Sequence, residues 1–265
     1  MKIYLSVDIE GTAGITNWDE ADHAHADYPA HREQMTREAL AACEGAVAAG
    51  AKEIMIKDAH DTGRNILQQD LPDCARLIRE WSGHPFCMLQ ELDESFDAAL
   101  LVGYHSMAGT EGNPLAHTLS GQVSRMRLNG TPTSEFLLAA YAAASVNVPV
   151  VFVSGDQLLG KHVESHNPGI VTVATSEGKG PSTISIAPKA ACAQIRAGVE
   201  RALKGDLKKS LLKLPERFTL EIEYSNPVSA YKFSWYPGCT HISNRTVRLE
   251  TRDYFEVLRA LMFIT

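Results

Sequence analysis

Two near-continuous apolar runs constrain the fold of this chain more than any other feature. They are residues 97–104 (DAALLVGY) and residues 149–154 (PVVFVS). A strand with one face in water alternates apolar and polar residues, whereas a strand that is buried on both faces carries an unbroken apolar run. The two runs therefore predict central strands of a sheet that is covered on both faces.

The first sixty residues predict a parallel arrangement for that sheet. Residues 2–7 have the pattern of a short apolar strand, residues 33–49 that of an alanine-rich helix ended by Gly50, and residues 53–57 that of a second strand. The connection is long enough for a helical crossover, which joins parallel strands. The predicted fold class is therefore α/β, with a mostly parallel central sheet flanked by helices.

A smaller C-terminal α+β portion is predicted to follow. Charged residues and proline replace the periodic patterns near residues 206–216, as they do at many domain boundaries. We expect an α/β domain over residues 1–205 and a smaller portion over residues 206–265 that packs on it. The other predicted elements are strands at 121–128, 170–175, 218–224 and 246–250, and helices at 134–145, 188–204 and 253–262.

Charge and cysteine content argue against several classes of partner. The net charge of −7 opposes a general attraction to nucleic acid, and the longest basic stretch is the short segment 204–213. The apolar N-terminal stretch reaches a charge at Asp8, too early for a signal peptide, and no run of about 18 apolar residues could span a membrane. Five scattered cysteines without a Cys-x-x-Cys pair are typical of reduced structural thiols. We therefore expect a cytoplasmic protein with neither a nucleic-acid nor a membrane partner.

Possible metal ligands follow three of the predicted strands. Asp8 and Glu10 end the first strand, and their i, i+2 spacing places both carboxylates on one side. His60 follows the second strand, and His105 follows the apolar run at residues 97–104. Because ligands of open α/β sheets bind beyond the carboxyl ends of the strands, we expect these side chains to meet. Two imidazoles with two carboxylates suit zinc, and cobalt or manganese less well.

Other candidate ligands have simpler explanations when each is taken alone. Glu135 opens a predicted helix, where the helix dipole favours a carboxylate. His23 and His25 lie in a polar loop that we expect to be solvated. His162 and His166 have the i, i+4 spacing of a zinc pair, but they lack the glutamate of a His-Glu-x-x-His motif, and a nearby proline and glycine shorten any helix there.

Several separated motifs resemble those of one known family. The segment Ser6-Val7-Asp8-Ile9-Glu10-Gly11 is similar to the Ser-x-Asp-x-Glu-Gly signature of the D-aminopeptidase DppA family, the M55 metallopeptidases. Other stretches are similar to that family in order and spacing: Asp58-Ala59-His60, Gly103-Tyr104-His105, Ala116-His117-Thr118, residues 129–135, residues 149–156 and Pro237-Gly238. The resemblance covers essentially the whole chain.

The resemblance implies a zinc-dependent aminopeptidase that acts on short peptides. The implied zinc ligands are Asp8, Glu10, His60, His105 and Glu135, and the implied catalytic residue is His117. The family also implies a ring-like homo-oligomer, for which a decamer is one possible size, that screens its active sites from large substrates. Residues 1–205 would then be the metal-binding catalytic domain, and residues 206–265 would contribute to oligomer contacts. The loops at residues 17–32 and 109–115 depart from the family pattern, so the D- or L-configuration of the released residue stays open.

The number of implied ligands predicts a dinuclear site. Five ligands on one zinc ion would leave no open position, whereas five ligands shared by two ions leave room for a bridging water. We therefore predict two zinc ions per subunit, with Asp8 as the bridging carboxylate because it precedes Glu10 on the same face. His117 lies in a loop with glycine and proline, which suits a general acid or base or a donor to the oxyanion.

Two further aspartates at strand ends are candidates for supporting roles. An aminopeptidase must recognise a free amino group, and Asp156 at the end of a buried strand could bind it. Asp58 could instead orient a metal-bound histidine.

Two other functions remain compatible with these residues. One is a metal-dependent amidase that acts on other small amides, such as cyclic or acylated amino compounds. The other is a non-catalytic binding protein in which the metal is structural. The sequence contains no Gly-x-Gly-x-x-Gly motif, P-loop or Gly-x-Ser-x-Gly elbow, which argues against nucleotide binding and serine hydrolysis.

Overall fold

The computed structural model describes residues 1–265, which fold into twelve strands and six α-helices. In chain order these are β1 (Lys2–Val7), α1 (Tyr28–Ala48), β2 (Glu53–Asp58), β3 (Ala75–Ile78), β4 (Ala98–Tyr104), β5 (Val123–Leu128), β6 (Thr131–Pro132), α2 (Glu135–Ser145), β7 (Val150–Asp156), α3 (Gln157–His166), β8 (Val171–Lys179), β9 (Ser182–Ser185), α4 (Pro188–Leu203), β10 (Phe218–Tyr224), α5 (Pro227–Phe233), β11 (Cys239–Ser243), β12 (Thr246–Thr251) and α6 (Tyr254–Ile264).

A seven-stranded sheet forms the centre of the molecule, in the order β3-β2-β1-β4-β7-β8-β9. Every neighbouring pair is parallel except β8 and β9, which confirms the predicted α/β class. The two apolar runs became β4 and β7, and every residue of both strands is buried. Strand order reverses between β1 and β4, and the crevice at such a switch point is where ligands of open α/β sheets bind.

The two faces of this sheet carry separate apolar cores. Helices α1 and α4 pack together on one face, over a cluster of 28 buried residues that includes Leu5, Val102 and Phe152. Helix α2 packs on the other face, within a cluster of 41 buried residues that also includes residues of α6. The strands alternate their side chains between the two cores, which explains why residues 98–102 of β4 and residues 150–153 of β7 are all apolar. None of the helices combines the length and apolar character that crossing a membrane would require.

The second sheet is antiparallel and has five strands, in the order β11-β12-β10-β5-β6. Strand β10 alternates buried and half-buried residues, as expected for a strand with one face on the core. Strands β5 and β6 come from residues before position 206, whereas β10, β11 and β12 come from residues after it. Both ranges of the predicted division, residues 1–205 and residues 206–265, thus contribute strands to one sheet. The division itself stays a prediction.

The sequence patterns do not predict six of the elements, namely β3, β6, α3, β9, α5 and β11. The four strands have two to five residues each, too few for a period of two to emerge. Helix α3 buries only Leu159 and Val163, and it forms because the Asp156 side chain caps its first turn and accepts from Leu159 N at 2.9 Å. Helix α1 begins at Tyr28 instead of residue 33, because Tyr28 is buried and a proline suits the first turn.

Two glycines allow the chain to close around the switch point. A Cβ atom on Gly11 would lie 1.7 Å from the Tyr104 carbonyl oxygen, and one on Gly103 would lie 2.2 Å from the Asp8 carbonyl oxygen. Gly103 also has a φ of 71°, in the left-handed region that favours glycine. The backbones of β1 and β4 can therefore approach at their carboxyl ends, where Gly11 N donates to the Gly103 carbonyl at 2.8 Å.

A fully buried carboxylate on α1 introduces a pH-dependent contribution to stability. Glu38 Oε1 accepts from Ala13 N and Gln34 Nε2, both at 2.8 Å, whereas Glu38 Oε2 has no partner. Burial raises the pKa of Glu38 to about 7. Between about pH 4.5 and 7 the unfolded chain ionises Glu38 while the folded chain retains the proton. Stability therefore falls as the pH rises through this window.

Replacing Glu38 with glutamine should remove the fall in folding stability between about pH 4.5 and pH 7. We expect the variant to match the wild type near pH 4.5 and to be more stable at pH 8, by up to about 3 kcal/mol for a shift of this size. Denaturant unfolding of both proteins at pH 5 and pH 8 measures the difference, and other titrating groups cancel in the comparison. An equal difference at the two pH values would show that Glu38 is ionised in the folded protein throughout.

Candidate metal centre

Four structural elements bring the predicted ligands together at the switch point. Asp8 and Glu10 follow β1, where Asp8 N donates to the Val102 carbonyl of β4 at 2.8 Å. His60 follows β2 and His105 follows β4, the two neighbours of β1. Glu135 is the first residue of α2, whose first turn is capped by the Ser134 side chain. All five side chains are buried: Asp8, Glu10, His60, His105 and Glu135.

Asp8 lies at the centre of this cluster and has one carboxylate oxygen toward each histidine. His60 Nδ1 lies 3.4 Å from Asp8 Oδ1 and 3.1 Å from Glu10 Oε1. On the other side, His105 Nε2 lies 3.5 Å from Asp8 Oδ2 and 3.3 Å from Glu135 Oε2. Within each of the two groups, Asp8–Glu10–His60 and Asp8–His105–Glu135, the ligand atoms lie within 4.8 Å of one another. Two metal-sized groups of donors thus share one carboxylate.

The hydrogen bonds of the cluster leave the donor atoms that a metal ion would need. A carbonyl oxygen only accepts, so His60 Nε2 donates to Ala21 O at 3.0 Å and His105 Nδ1 donates to Ser106 O at 2.9 Å. The nitrogens that face the carboxylates are His60 Nδ1 and His105 Nε2. Both His105 Nε2 and Glu10 Oε2 are buried without a hydrogen-bond partner. Buried polar atoms are rarely left in this way, and nitrogen and carboxylate donors suit zinc, so the residues fit such an ion.

The charges of the cluster are strongly coupled. Burial raises the pKa of Asp8 well above its ordinary value, and the neighbouring Glu10 raises it further. Burial also raises the pKa of Glu10, but His60 outweighs this effect and holds it well below its ordinary range. Burial lowers the pKa of His60 and His105, but Glu10 and Glu135 outweigh it and raise both pKa values. Protons on the imidazoles thus balance the carboxylates without metal, and metal binding must displace them.

His117 is held beside this cluster by the loop after β4. Its Nε2 atom lies 3.9 Å from Glu10 Oε1 and 3.7 Å from Glu135 Oε1, and its Nδ1 atom donates to Leu115 O at 2.9 Å. The His117 ring stacks on His105, with centroids 4.3 Å apart and planes 12° apart. Glu10, His105 and His117 form a third group of donors with metal-sized spacing. The predicted catalytic residue therefore lies next to the predicted ligands.

Two hydrogen bonds fix the position of that loop. Asn113 Nδ2 donates to the Glu10 carbonyl at 2.8 Å, and Leu119 N donates to Glu135 Oε1 at 2.7 Å. These bonds lie on either side of His117 in the chain, and each one ends on a residue of the cluster. The loop can therefore hold the His117 ring between the Glu10 and Glu135 carboxylates.

A cavity of about 500 Å³ opens on the cluster. Its polar end contains Asp8, Glu10, His60, His117 and Glu135. Most of the remaining lining is apolar and comes from α2, α6 and the loops after β3 and β4: Phe86, Met88, Leu89, Leu119, Leu138, Ala139, Ala142, Leu258, Leu261 and Met262. The volume is in the range of small-molecule sites, so a short peptide fits it and a folded protein does not.

Asp58 and Asp156 lie outside the cavity lining, and each reaches a proposed ligand through one other residue. Asp58 binds Asn65, whose Nδ2 atom donates to the His60 carbonyl at 2.7 Å. Asp156 binds Ser106, whose carbonyl accepts from His105 Nδ1. Asp58 accepts from Asn65 N, Asn65 Nδ2 and Ile66 N at 2.6–2.7 Å, and it makes no hydrogen bond to the His60 ring. Asp156 accepts from Ser106 N at 2.6 Å, Ser106 Oγ at 2.5 Å and Leu159 N at 2.9 Å. All of its bonds are internal, so the structure gives no support to Asp156 as an anchor for the substrate's amino group.

The two histidine pairs outside the site do not join any group of metal donors. His23 and His25 are half exposed, with aspartates at 3.4–3.6 Å. His162 and His166 lie one turn apart on α3, which extends through both despite the proline and glycine that follow. Burial lowers the pKa of His162 to about 4, so that ring is neutral. None of the three groups with metal-sized spacing contains these residues.

Three residues of the cavity wall are not predicted by any sequence pattern. Trp18, Asp61 and Trp81 line the cavity from loops. The Trp18 ring packs edge-on against His117, with centroids 5.2 Å apart. Trp18 belongs to a three-residue 3-10 helix at Trp18–Glu20 with a capping box at Asn17. A capping box indicates where a helical turn begins, here at Asn17. It does not indicate which side chain of that turn reaches the cavity.

Comparison with known proteins agrees with this geometry. The sequence model of the peptidase M55 family, described as D-aminopeptidase, matches residues 1–263. A D-aminopeptidase of Bacillus subtilis (strain 168) is 32% identical over 270 residues, which cover 100% of this chain and 97% of that protein. The fold matches the solved structure of the Zn-dependent D-aminopeptidase DppA from Bacillus subtilis, a self-compartmentalizing protease. That match has a TM-score of 0.94 and 29% identity, and it covers 100% of this chain and 96% of the other. The chain therefore belongs to the M55 family of D-aminopeptidases.

Proposed function

We propose that this protein is a zinc-dependent aminopeptidase that releases the N-terminal residue of short peptides. One observation carries the proposal: Asp8 is shared by two groups of metal donors, at the polar end of a cavity that also contains His117. A purely structural metal would need a closed site, whereas this cluster faces a space large enough for a substrate. The family and the named relatives support the same activity.

We expect two zinc ions per subunit, with Asp8 as the bridging ligand. Glu10 and His60 would complete the ligands of one ion, and His105 and Glu135 those of the other. When bound, the two ions would lower the pKa of the attacking water and polarise the scissile carbonyl. Cobalt or manganese could replace zinc at nitrogen and carboxylate donors of this kind.

His117 would move the protons of the reaction. Because Nδ1 donates to the Leu115 carbonyl, Nε2 is the nitrogen that faces the cavity end of the site. From there it can accept a proton from the attacking water and return it to the leaving amine, or donate to the developing oxyanion. Asp156 supports the site indirectly, since it holds Ser106, whose carbonyl fixes the His105 ring.

The apolar cavity wall favours small substrates with apolar side chains. The volume of about 500 Å³ has room for a short peptide, and most of the wall beyond the cluster is hydrophobic. The relatives are named D-aminopeptidases, so we propose that D-residues are released in preference to L-residues. Aminoacyl amides should serve as minimal substrates.

The test is a panel of D- and L-aminoacyl amides, dipeptides and tripeptides, offered to protein that has been stripped of metal and reloaded with zinc. We expect release of the N-terminal residue from at least one D-series member, and no release from N-acetylated counterparts or from the stripped protein. Cleavage of the acetylated compounds alone would favour the amidase instead. A fully loaded protein that cleaves no member would favour the non-catalytic binding protein.

We also propose that the chain forms a ring-like homo-oligomer. The relative of known structure is described as self-compartmentalizing, and this chain has an exposed apolar patch on and after α5, formed by Val228, Tyr231 and Trp235, which are 61–74% exposed. Large exposed apolar patches commonly mark protein interfaces. Light scattering at micromolar concentration should give a mass several times the 28.9 kDa of one chain. A decamer is one size to test against that mass.

A cytoplasmic location stays a prediction. The five cysteines are all unpaired in the structure, as is usual in a reducing compartment.

A further inference from the structure

The cavity contains one acidic side chain that the metal centre does not use. Four acidic residues line it: Asp8, Glu10, Asp61 and Glu135. Three of them are proposed metal ligands, so Asp61 is left over. Its side chain is 52% exposed at the cavity wall, in contrast to the other three, which are buried. Asp61 is therefore the carboxylate that an entering ligand can reach.

The backbone of Asp61 is held in a conformation that a non-glycine residue seldom adopts. Its φ is 41°, in the left-handed region, where aspartate and asparagine are tolerated better than most residues. The Trp81 Nε1 atom donates to the Asp61 carbonyl at 2.7 Å, and Gly63 N donates to the carbonyl of the preceding His60 at 2.8 Å. The same short segment thus carries a metal ligand and Asp61, and it is fixed on both sides. Such strain is common at ligand-binding positions.

The Asp61 carboxylate has little to bind within the protein. The one basic side chain within 4 Å of it is His23, whose Nδ1 atom lies 3.5 Å from Asp61 Oδ2, and that histidine is itself 53% exposed. An exposed pair of this kind contributes little. The carboxylate is therefore free to exchange this partner for a cation from a substrate.

The charge of the loaded site gives a reason for such a carboxylate. Two Zn²⁺ ions would bring four positive charges to the site, and the carboxylates of Asp8, Glu10 and Glu135 would already be engaged as their ligands. A substrate that enters with a protonated amino group adds a further positive charge, which the ions repel. A carboxylate outside the ligand set can compensate for that charge.

From this geometry we infer that Asp61 binds the free α-ammonium group of the substrate and so selects peptides with an unblocked amino terminus. The inference rests on the proposed aminopeptidase function. Asp61 takes the role that the sequence suggested for Asp156, whose oxygens already accept hydrogen bonds from Ser106 and Leu159. Asp61 acts in substrate binding and takes no part in proton transfer.

The test uses Asp61→Asn, because asparagine keeps the shape and tolerates the left-handed backbone. Asp22→Asn is the matched control: Asp22 is equally exposed and lies 3.6 Å from the same His23 nitrogen, but it does not line the cavity. For Asp61→Asn we expect a KM about 10- to 100-fold higher for the free-amine substrates, the range for loss of one charged hydrogen bond. The kcat should change less than about threefold, and zinc content should not change.

A binding measurement makes the inference independent of turnover. Calorimetry compares D-leucinol with 4-methylpentan-1-ol, which lacks the amine, and neither contains a bond to hydrolyse. On the zinc-loaded wild type, D-leucinol should bind more tightly, and Asp61→Asn should remove that preference while Asp22→Asn keeps it. An unchanged preference in Asp61→Asn would overturn the inference and indicate that a metal ion binds the amine. If the wild type prefers the amine yet cleaves nothing in the substrate panel, the proposed function fails and the role of Asp61 in amine binding stands.

Discussion

Replacing Asp8 with asparagine should abolish zinc-dependent hydrolysis and remove the increase in Tm that zinc gives to the wild-type protein. Asp8 is the one residue shared by the two groups of donors, with Oδ1 toward His60 and Oδ2 toward His105. An asparagine side chain offers one neutral oxygen, so it cannot bridge two cations. Changes outside the ligand set already cost about 10- to 100-fold in affinity or activity, and loss of the shared ligand should leave below roughly 1% of the wild-type rate.

The increase in Tm that zinc binding should give can be calculated. A ligand at about 100 times its Kd adds about 2.7 kcal/mol to the folded state. In a domain of this length that corresponds to an increase in Tm of about 5–10 °C. The wild type should show such an increase on addition of zinc, and Asp8→Asn should show little or none.

The metal-free variant is expected to remain folded. Burial and the neighbouring Glu10 raise the pKa of Asp8, which means that the fold disfavours its ionised form. Removal of that charge should leave the metal-free protein at least as stable as the wild type at pH 8. A loss of activity in Asp8→Asn would then report on metal binding and would not result from unfolding.

Metal analysis, calorimetric Tm and turnover are measured on the same preparations. Glu38→Gln serves as the control, because Glu38 is also a fully buried carboxylate but lies outside the cluster. It should bind the wild-type amount of zinc. Two zinc ions per chain in Asp8→Asn, together with a normal increase in Tm, would show that Asp8 is not a bridging ligand.

The central sheet and the location of the cluster could be predicted from the sequence because both depend on repeating local rules. The unbroken apolar runs gave β4 and β7, since only strands buried on both faces tolerate them. Parallel strands place their carboxyl ends at one edge, so Asp8, His60 and His105 had to be neighbours once their strands were identified. Glu135 was different, because its local pattern is that of a helix start and only the family resemblance made it a ligand.

Other features depend on contacts between distant segments, which no local pattern contains. Strand β5 pairs with β10, although about ninety residues separate them. Trp18 and Asp61 reach the cavity from loops, and their positions depend on hydrogen bonds such as the one from Trp81 Nε1 to the Asp61 carbonyl. For Asp156 the local pattern suggested a function that its contacts do not support. Its place at a strand end suggested a role in substrate binding, but its oxygens accept hydrogen bonds from Ser106 and from the first turn of α3.

Replacing His117 with alanine should lower kcat by about 10²- to 10⁴-fold, the usual contribution of a general acid or base, without loss of zinc. The five proposed ligands remain in place when this ring is removed. The Nε2 atom of His117 lies 3.7–3.9 Å from the nearest carboxylate oxygens, whereas the corresponding nitrogens of His60 and His105 lie at 3.1–3.5 Å. KM should change little, because the lost interaction belongs to the transition state. Steady-state kinetics and metal analysis on the same sample measure both quantities.

Two further variants separate proton transfer from packing and from metal binding. His117→Phe keeps an aromatic ring to stack on His105, which now lies 4.3 Å from the His117 ring centroid, but it cannot transfer a proton. His25→Ala removes a half-exposed histidine outside the cluster and should retain full activity.

If the phenylalanine variant recovers the wild-type kcat, His117 acts only through packing. If His117→Ala loses zinc as His105→Ala is expected to do, then Glu10, His105 and His117 form a real ligand group, and His117 must be counted among the ligands. A low kcat in both His117 variants, with full zinc content, is the result that assigns the proton transfer to His117.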